Sequence, residues 1–220
     1  TPARSSAASD VYKRQVYVPT PSPAAVKGVL LSDATLGLNE TQAQWAADVS
    51  AGHIGRARHL ARDEAARTKR ATALKLPQLV YEPNALYRFT AELVKKAEEE
   101  AASELEKLDQ REREELESSL GVGAKGKGAA KAQRGASGRM KELEKEQKNR
   151  RTRRTRDSLD LALIDIAGLY RDAMLQAAGA MDGDGVPVGG HQHPDMAATS
   201  KELARRNSAS ALMSCINAVM

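Results

Sequence analysis

Aromatic residues are scarce in this chain: one Phe, one Trp and five Tyr, 3% of 220 residues. A sandwich or barrel interior filled by aromatic and β-branched side chains is disfavoured, so helix is the expectation. Cysteine is almost missing as well. Cys215 alone cannot close an internal disulfide, which fits a reducing compartment, and a cytoplasmic location is expected. No apolar run approaches the roughly 20 residues needed to cross a bilayer, and no secretory signal is recognisable. A dominant charge is lacking too. Lys and Arg number 34 against 29 Asp and Glu, for a formal net charge of +5, which permits an anionic partner without demanding one.

What the chain does have is Ala, Leu, Glu, Lys and Arg, the composition of long helices, and the fold class expected is all-α. The hydrophobic fraction of 41% is largely alanine, so the core per residue is thin. The two ends read as non-native. SDVYKRQ, within Thr1 to Gln15, looks like a translated sequencing adapter, and residues 1–15 are expected to be foreign. The final ALMSCINAVM is an apolar-periodic helix that stops without a cap, so truncation is expected there.

Residues 16–71 read as a small three-helix domain. VYVPTPSP is extended; Ser22 and Pro23 then give an N-cap and first-turn signal ahead of Val26, Val29 and Leu30. Asn39 caps a second helix bearing Trp45 and Val49, and Gly52 closes it. A third is expected from Ile54 toward Ala66. Pro77 opens the second domain, 77–220. There Leu86, Phe89, Leu93, Ala97, Ala101, Leu105 and Leu108 form a helical stripe, which Glu112 interrupts where an apolar residue is due. Residues 121–138, rich in Gly, Ala and Lys, read as a flexible loop, with helix resuming at Arg139. Leu159, Ala162, Leu163, Ile166, Leu169, Tyr170 and Met174 form the best amphipathic segment. Residues 179–194 read as a mobile loop and Ala197 to Val219 as a last helix.

Four stretches hold residue types that can carry chemistry. GVGAKGK, Gly121 to Lys127, has the opening of a phosphate-binding loop, but Gly128 stands where Ser or Thr must hold magnesium and no strand precedes it. KNRRTRRTR contributes six cations, Lys148, Arg150, Arg151, Arg153, Arg154 and Arg156, a possible anion or DNA contact. Pairing with the acidic runs Glu98–Glu100 and Glu112–Glu117 is the favoured reading, since no stacking aromatics lie nearby. His191 and His193, with Asp184 and Asp195, are metal-ligand types without a framework for four ligands, so no metal is assigned. Cys215 sits among Ala211, Leu212 and Ile216 as an inert thiol. No catalytic arrangement stands out. In GHIGRARHL, Gly52, Gly55, Arg56 and Ala57 form either a helix junction or an anion site at a fresh helix N-terminus, with Arg56 reaching a phosphate.

The stretches WAADVSAGHIGRARHLARDEAAR, KLP and MKELEKEQKNRRTRRTRDSLDLALIDIAGLYRDAML carry a resemblance. From Val16 to Val219 the chain resembles the C-terminal half of an actinobacterial DNA polymerase III delta-prime subunit, of the clamp-loader family. The resemblance implies an AAA+ lid-type domain followed by a helical collar domain with a long charged helical pair. It further implies assembly with other loader subunits in a hetero-pentamer and indirect action on the sliding clamp and primer-template DNA. ATP would be bound by an upstream domain or by partners, with no cofactor and no catalysis in this segment. In motor subunits of the family the motif resembles Gly-Ser-x-Arg-Asp-Ala, whose arginine senses the terminal phosphate. Gly55 takes that arginine's position here, and Arg56, one residue on, is rotated by about 100°. Two other readings are a free-standing coiled-coil interaction protein, which leaves the Trp45 helices unexplained, and a helix-turn-helix DNA-binding protein, which lacks a polar recognition helix.

Overall fold

Ser22 and Pro23 start the first helix as their chemistry dictates: the Ser22 hydroxyl accepts from the Ala25 N–H at 3.2 Å, and Pro23 occupies the first turn, where no N–H is needed. The computed structural model describes residues 19–120 and 129–220, the side chains of 129–135 excepted. The adapter-like segment 1–15 and the GVGAKGK stretch therefore lie outside the described residues. Among the described residues every named element is helical, and no helix is long and apolar enough to cross a membrane.

Two compact units are present, Thr1–Ala66 and Arg67–Met220. In the first, α1 (Pro23–Ser32), a short 3-10 turn (Ala34–Leu36), α2 (Glu40–Asp48) and α3 (Ile54–Arg62) enclose Val26, Leu30, Ala43, Ala46, Ala47 and Ala57. Asn39 and Gln42 form a reciprocal capping box at α2. Gly52 has φ +82°, and a Cβ there would lie 2.5 Å from Thr20 Cγ2 and 2.7 Å from the Pro21 carbonyl oxygen. Glycine is thus required twice over, by backbone conformation and by close approach. The third helix does not run on to Ala66. Asp63 leaves helical geometry at φ −110°, ψ 113°, and its carboxylate accepts from the Ala65 N–H at 2.8 Å, starting α4 (Glu64–Ala73).

The unit boundary falls inside α4 rather than after residue 71. Ala66 packs on Val49 and Leu60, whereas Arg70 and Leu74 are drawn into the second unit, Leu74 by its core and Arg70 by ion pairs. The second unit continues with a 3-10 turn (Leu76–Gln78), α5 (Pro83–Ser119, 37 residues), α6 (Ala129–Ala177, 49 residues), another 3-10 turn (Pro194–Met196), α7 (Ala197–Arg206) and α8 (Ala209–Val219). Leu74, Ile166, Leu169, Tyr170, Ala173, Leu203 and Leu212 form its core.

In the second unit two boundaries and one residue of the apolar stripe differ from the sequence expectation. Residues 129–138, expected in the flexible loop, are helical: their alanines, Lys131, Gln133 and Arg134 favour helix enough to offset Gly135 and Gly138. The last helix is two, because Ser208 turns extended and its hydroxyl accepts from the Ala211 N–H. Leu163, expected in the buried stripe, is 40% exposed, beside Leu161 at 42% and Ile164 at 37%.

Candidate functional site

The apolar stripe of α5 fails at Glu112 because a polar layer replaces it. Asp109 and Gln147 are each 2% exposed and face one another between α5 and α6. Gln147 Nε2 donates to the Asp109 carbonyl at 2.9 Å and to Glu112 at 3.2 Å, and its Oε1 accepts from Arg113. Arg150 donates to Glu112 at 2.8 Å and to Asp109 at 2.7 Å. Arg151 takes the other Asp109 oxygen at 2.7 Å, and Arg154 reaches Glu104 at 2.7 Å. A buried carboxylate held by two guanidiniums fixes the register of an antiparallel helix pair, since a slip of one residue would strand a charge. The basic run thus meets acidic partners across the hairpin. Of the acidic runs expected to do this, Glu112 alone takes part among the described residues; Asp109 and Glu104 supply the rest, because they lie where α5 faces the run.

The run KNRRTRRTR is divided by this geometry. Arg150, Arg151 and Arg154 face α5, while Lys148, Arg153 and Arg156 are exposed on the rest of the helix.

Arg150, with help from Gln147, holds the Glu112 carboxyl below its ordinary range. A depressed folded-state pKa stabilises the fold above the unfolded carboxylate value of about 4.3, and the contribution is lost as pH falls through the folded value. Urea denaturation between pH 7 and pH 3 is therefore expected to show a loss of stability below about pH 4.3 that is reduced in Glu112→Gln. Identical pH dependence in both proteins would contradict the pairing.

A second polar cluster lies where HQH meets α4 and α6. The Arg70 side chain is 4% exposed and forks onto Asp195, at 2.6 Å from Nη1 and 2.9 Å from Nη2. The same Nη2 lies 2.7 Å from His193 Nδ1. A guanidinium only donates, so Nδ1 accepts and His193 is neutral with its proton on Nε2, the nitrogen 3.9 Å from Asp165. Asp172, fully buried, accepts from the Gln192 N–H at 3.1 Å, the His193 N–H at 2.9 Å and Arg171 at 3.0 Å. His191 Nδ1 is 3.8 Å from the same carboxylate. Gly168 supplies the remaining condition: a Cβ there would lie 2.6 Å from His193 Nε2.

Segment 179–194, expected as a mobile loop, is tied down at its HQH end. His193 is fully buried rather than one residue of a polar loop. Asp184 is not part of this cluster; its N–H donates to Asp182 within a turn. Among the described residues no group of three or more His, Cys, Asp or Glu is placed to hold a metal ion. The carboxylates of the cluster face guanidiniums and N–H groups, which makes it an ionic latch: Arg70, Asp165, Asp172 and His193 are buried, and Asp195 closes it from the solvent side.

The GHIGRARHL residues lie in the first unit. His53 caps α3, its Nδ1 accepting from the Arg56 N–H at 3.3 Å, so the imidazole occupies an amide that the anion reading would use. Gly55 is exposed, Arg56 half-buried and Ala57 buried in the core. Arg58 lies 3.5 Å from Asp33, and Arg62 donates to Thr35 at 2.7 Å. Sequence reasoning missed Arg70, Asp165, Asp172, Asp109 and Gln147. A signal for two of them existed: Asp165 and Asp172 interrupt the apolar run LIDIAGLYRDAML one heptad apart, hence on one helix face.

No protein-family model matches the chain, and neither a curated protein nor a solved structure is found to be similar to it.

Proposed function

We propose that the chain is the lid and collar of a clamp-loader subunit of the delta-prime type, acting in chromosomal DNA replication in the cytoplasm by assembly rather than catalysis. The observation that carries this reading is the resemblance of WAADVSAGHIGRARHLARDEAAR, with Gly55 at the position of the motor subunits' sensing arginine. An arrangement of three short helices followed by a separate helical unit with a long charged hairpin is in keeping with it. The hairpin's polar layer would hold α6 rigid, and Leu161, Leu163 and Ile164, all exposed on α6, would supply apolar contact to a neighbouring subunit. ATP and primer-template DNA would be engaged by other parts of the assembly, and the sliding clamp would be its cargo.

The test is co-expression with the remaining loader subunits followed by size-exclusion chromatography. The chain is expected to elute in the complex, and Leu161→Glu with Ile164→Glu to weaken its retention at least 10-fold, the equivalent of about 1.4 kcal/mol. Elution as an isolated species beside an assembled loader would overturn the reading.

A further inference from the structure

Division of the basic run leaves a coherent surface on α6. At 100° per residue, Lys141, Lys145, Lys148, Thr152 and Arg156 fall within an arc of about 80° on the side opposite Gln147 and Arg154. All five are exposed. None of the four cations has an ion pair among the described residues, in contrast to Arg150, Arg151 and Arg154. The acidic residues of this part of α6 lie off the arc: Glu142, Glu146, Asp157 and Asp160 on one flank and Glu144 on the other. Arg153 falls on the first of these acidic flanks. The result is a cationic line about 22 Å long at a 1.5 Å rise per residue, on a helix braced from behind by the buried Asp109 layer.

We infer that this outer face of α6 binds the phosphate backbone of duplex nucleic acid without reading its sequence. A row of point charges along one helix face suits a regular array of phosphates, which supplies the sequence-independent part of nucleic-acid affinity. Single strands are the poorer fit, because the face carries no aromatic side chain on which bases could stack. Lysine predominates over arginine, and the face has one base-reading amide, Asn149, at its margin. Both features favour backbone contact over base recognition. The inference does not depend on assembly into a loader, since it concerns the chain by itself.

The experiment measures fluorescence anisotropy of a labelled 20-base-pair mixed-sequence DNA duplex with the full chain at several salt concentrations. Four phosphate contacts predict a slope of about −3.6 in log affinity against log salt, a loss of roughly 100-fold between 50 and 200 mM. Lys145→Gln/Lys148→Gln/Arg156→Gln should reduce the slope to about −0.9. A control with the same loss of charge, Lys95→Gln/Lys96→Gln/Lys201→Gln, should bind like the parent. Circular dichroism of both variants should match the parent, which checks that they remain helical. Equal weakening by the control, no binding at 50 mM salt, tighter binding of a single strand, or equal binding of polyglutamate would each overturn the inference. Failure to join a loader complex would leave it standing.

Discussion

Replacing Gly168 by alanine is expected to destabilise the protein, while the same replacement at Gly138 on the same helix stabilises it. Alanine improves on glycine in a helix interior by about 1 kcal/mol, and nothing lies within 4 Å of a Cβ built at Gly138, so that gain is realised there. At Gly168 the new methyl would lie 2.6 Å from His193 Nε2 and 2.8 Å from Gln192 Cδ. The Gln192 side chain can swing aside, but the His193 ring cannot. Its Nδ1 is held by Arg70 and its backbone N–H by Asp172. Overpacking a fixed site costs about 1–3 kcal/mol, which exceeds or cancels the propensity gain. Urea denaturation should place the Gly168→Ala protein up to about 2 kcal/mol below the parent and Gly138→Ala about 1 kcal/mol above it. Gly168→Leu should prevent the HQH segment from docking at all. A Gly168→Ala protein as stable as the Gly138→Ala one would mean that His193 does not pack against α6.

These two glycines show where sequence reasoning ends. The helices themselves were legible, because Ser22, Asn39 and Gly52 act through their immediate neighbours and spacing alone reveals that. The change at Glu112 was also visible as a defect in the stripe of α5, though not its meaning. What Glu112 touches is set by residues 35 and 38 positions away, Gln147 and Arg150, and no local rule reports pairing at that range. Gly168 and Gly138 look alike in sequence. Only the return of the chain at His193 makes one of them indispensable.

HQH reads as a loop in sequence although the structure buries its second histidine. Alternate histidines in a glycine-rich segment have the composition of a solvated loop, and composition is all that a local reading weighs. Burial of His193 depends on Arg70, 123 positions earlier, and on Asp172, whose carboxylate substitutes for secondary structure at an irregular turn. For the GHIGRARHL stretch, sequence suggested a phosphate site or a helix junction. His53 at the cap and Arg58 and Arg62 beside Asp33 make the junction a knot of local contacts. The basic run was legible in sign and not in direction: three of its arginines are spent on α5, and Lys148 and Arg156 gain their significance from Lys141 and Lys145, which lie outside the run.

Asp172→Ala should be among the most damaging single substitutions in the second unit. The carboxylate is fully buried and is the acceptor for two consecutive backbone N–H groups, those of Gln192 and His193, as well as for Arg171. Hydrogen bonds to a charged acceptor contribute about 1.5–3 kcal/mol each. Alanine removes two of them from backbone donors at once and leaves the His193 N–H buried with no acceptor in its place, whereas Arg171, 37% exposed, can turn to water. Asp172→Asn keeps the shape and one acceptor but turns an NH2 group toward a backbone donor, so it should fall between alanine and the parent. Denaturation midpoints give the ranking; hydrogen exchange gives the mechanism. In the parent the Gln192 and His193 amides should exchange slowly although they belong to no helix. In Asp172→Ala they should exchange at least 100-fold faster under conditions where α6 remains protected, which corresponds to a local loss of about 2.7 kcal/mol or more. Unchanged protection of those two amides in the alanine variant would show that Asp172 does not hold the segment.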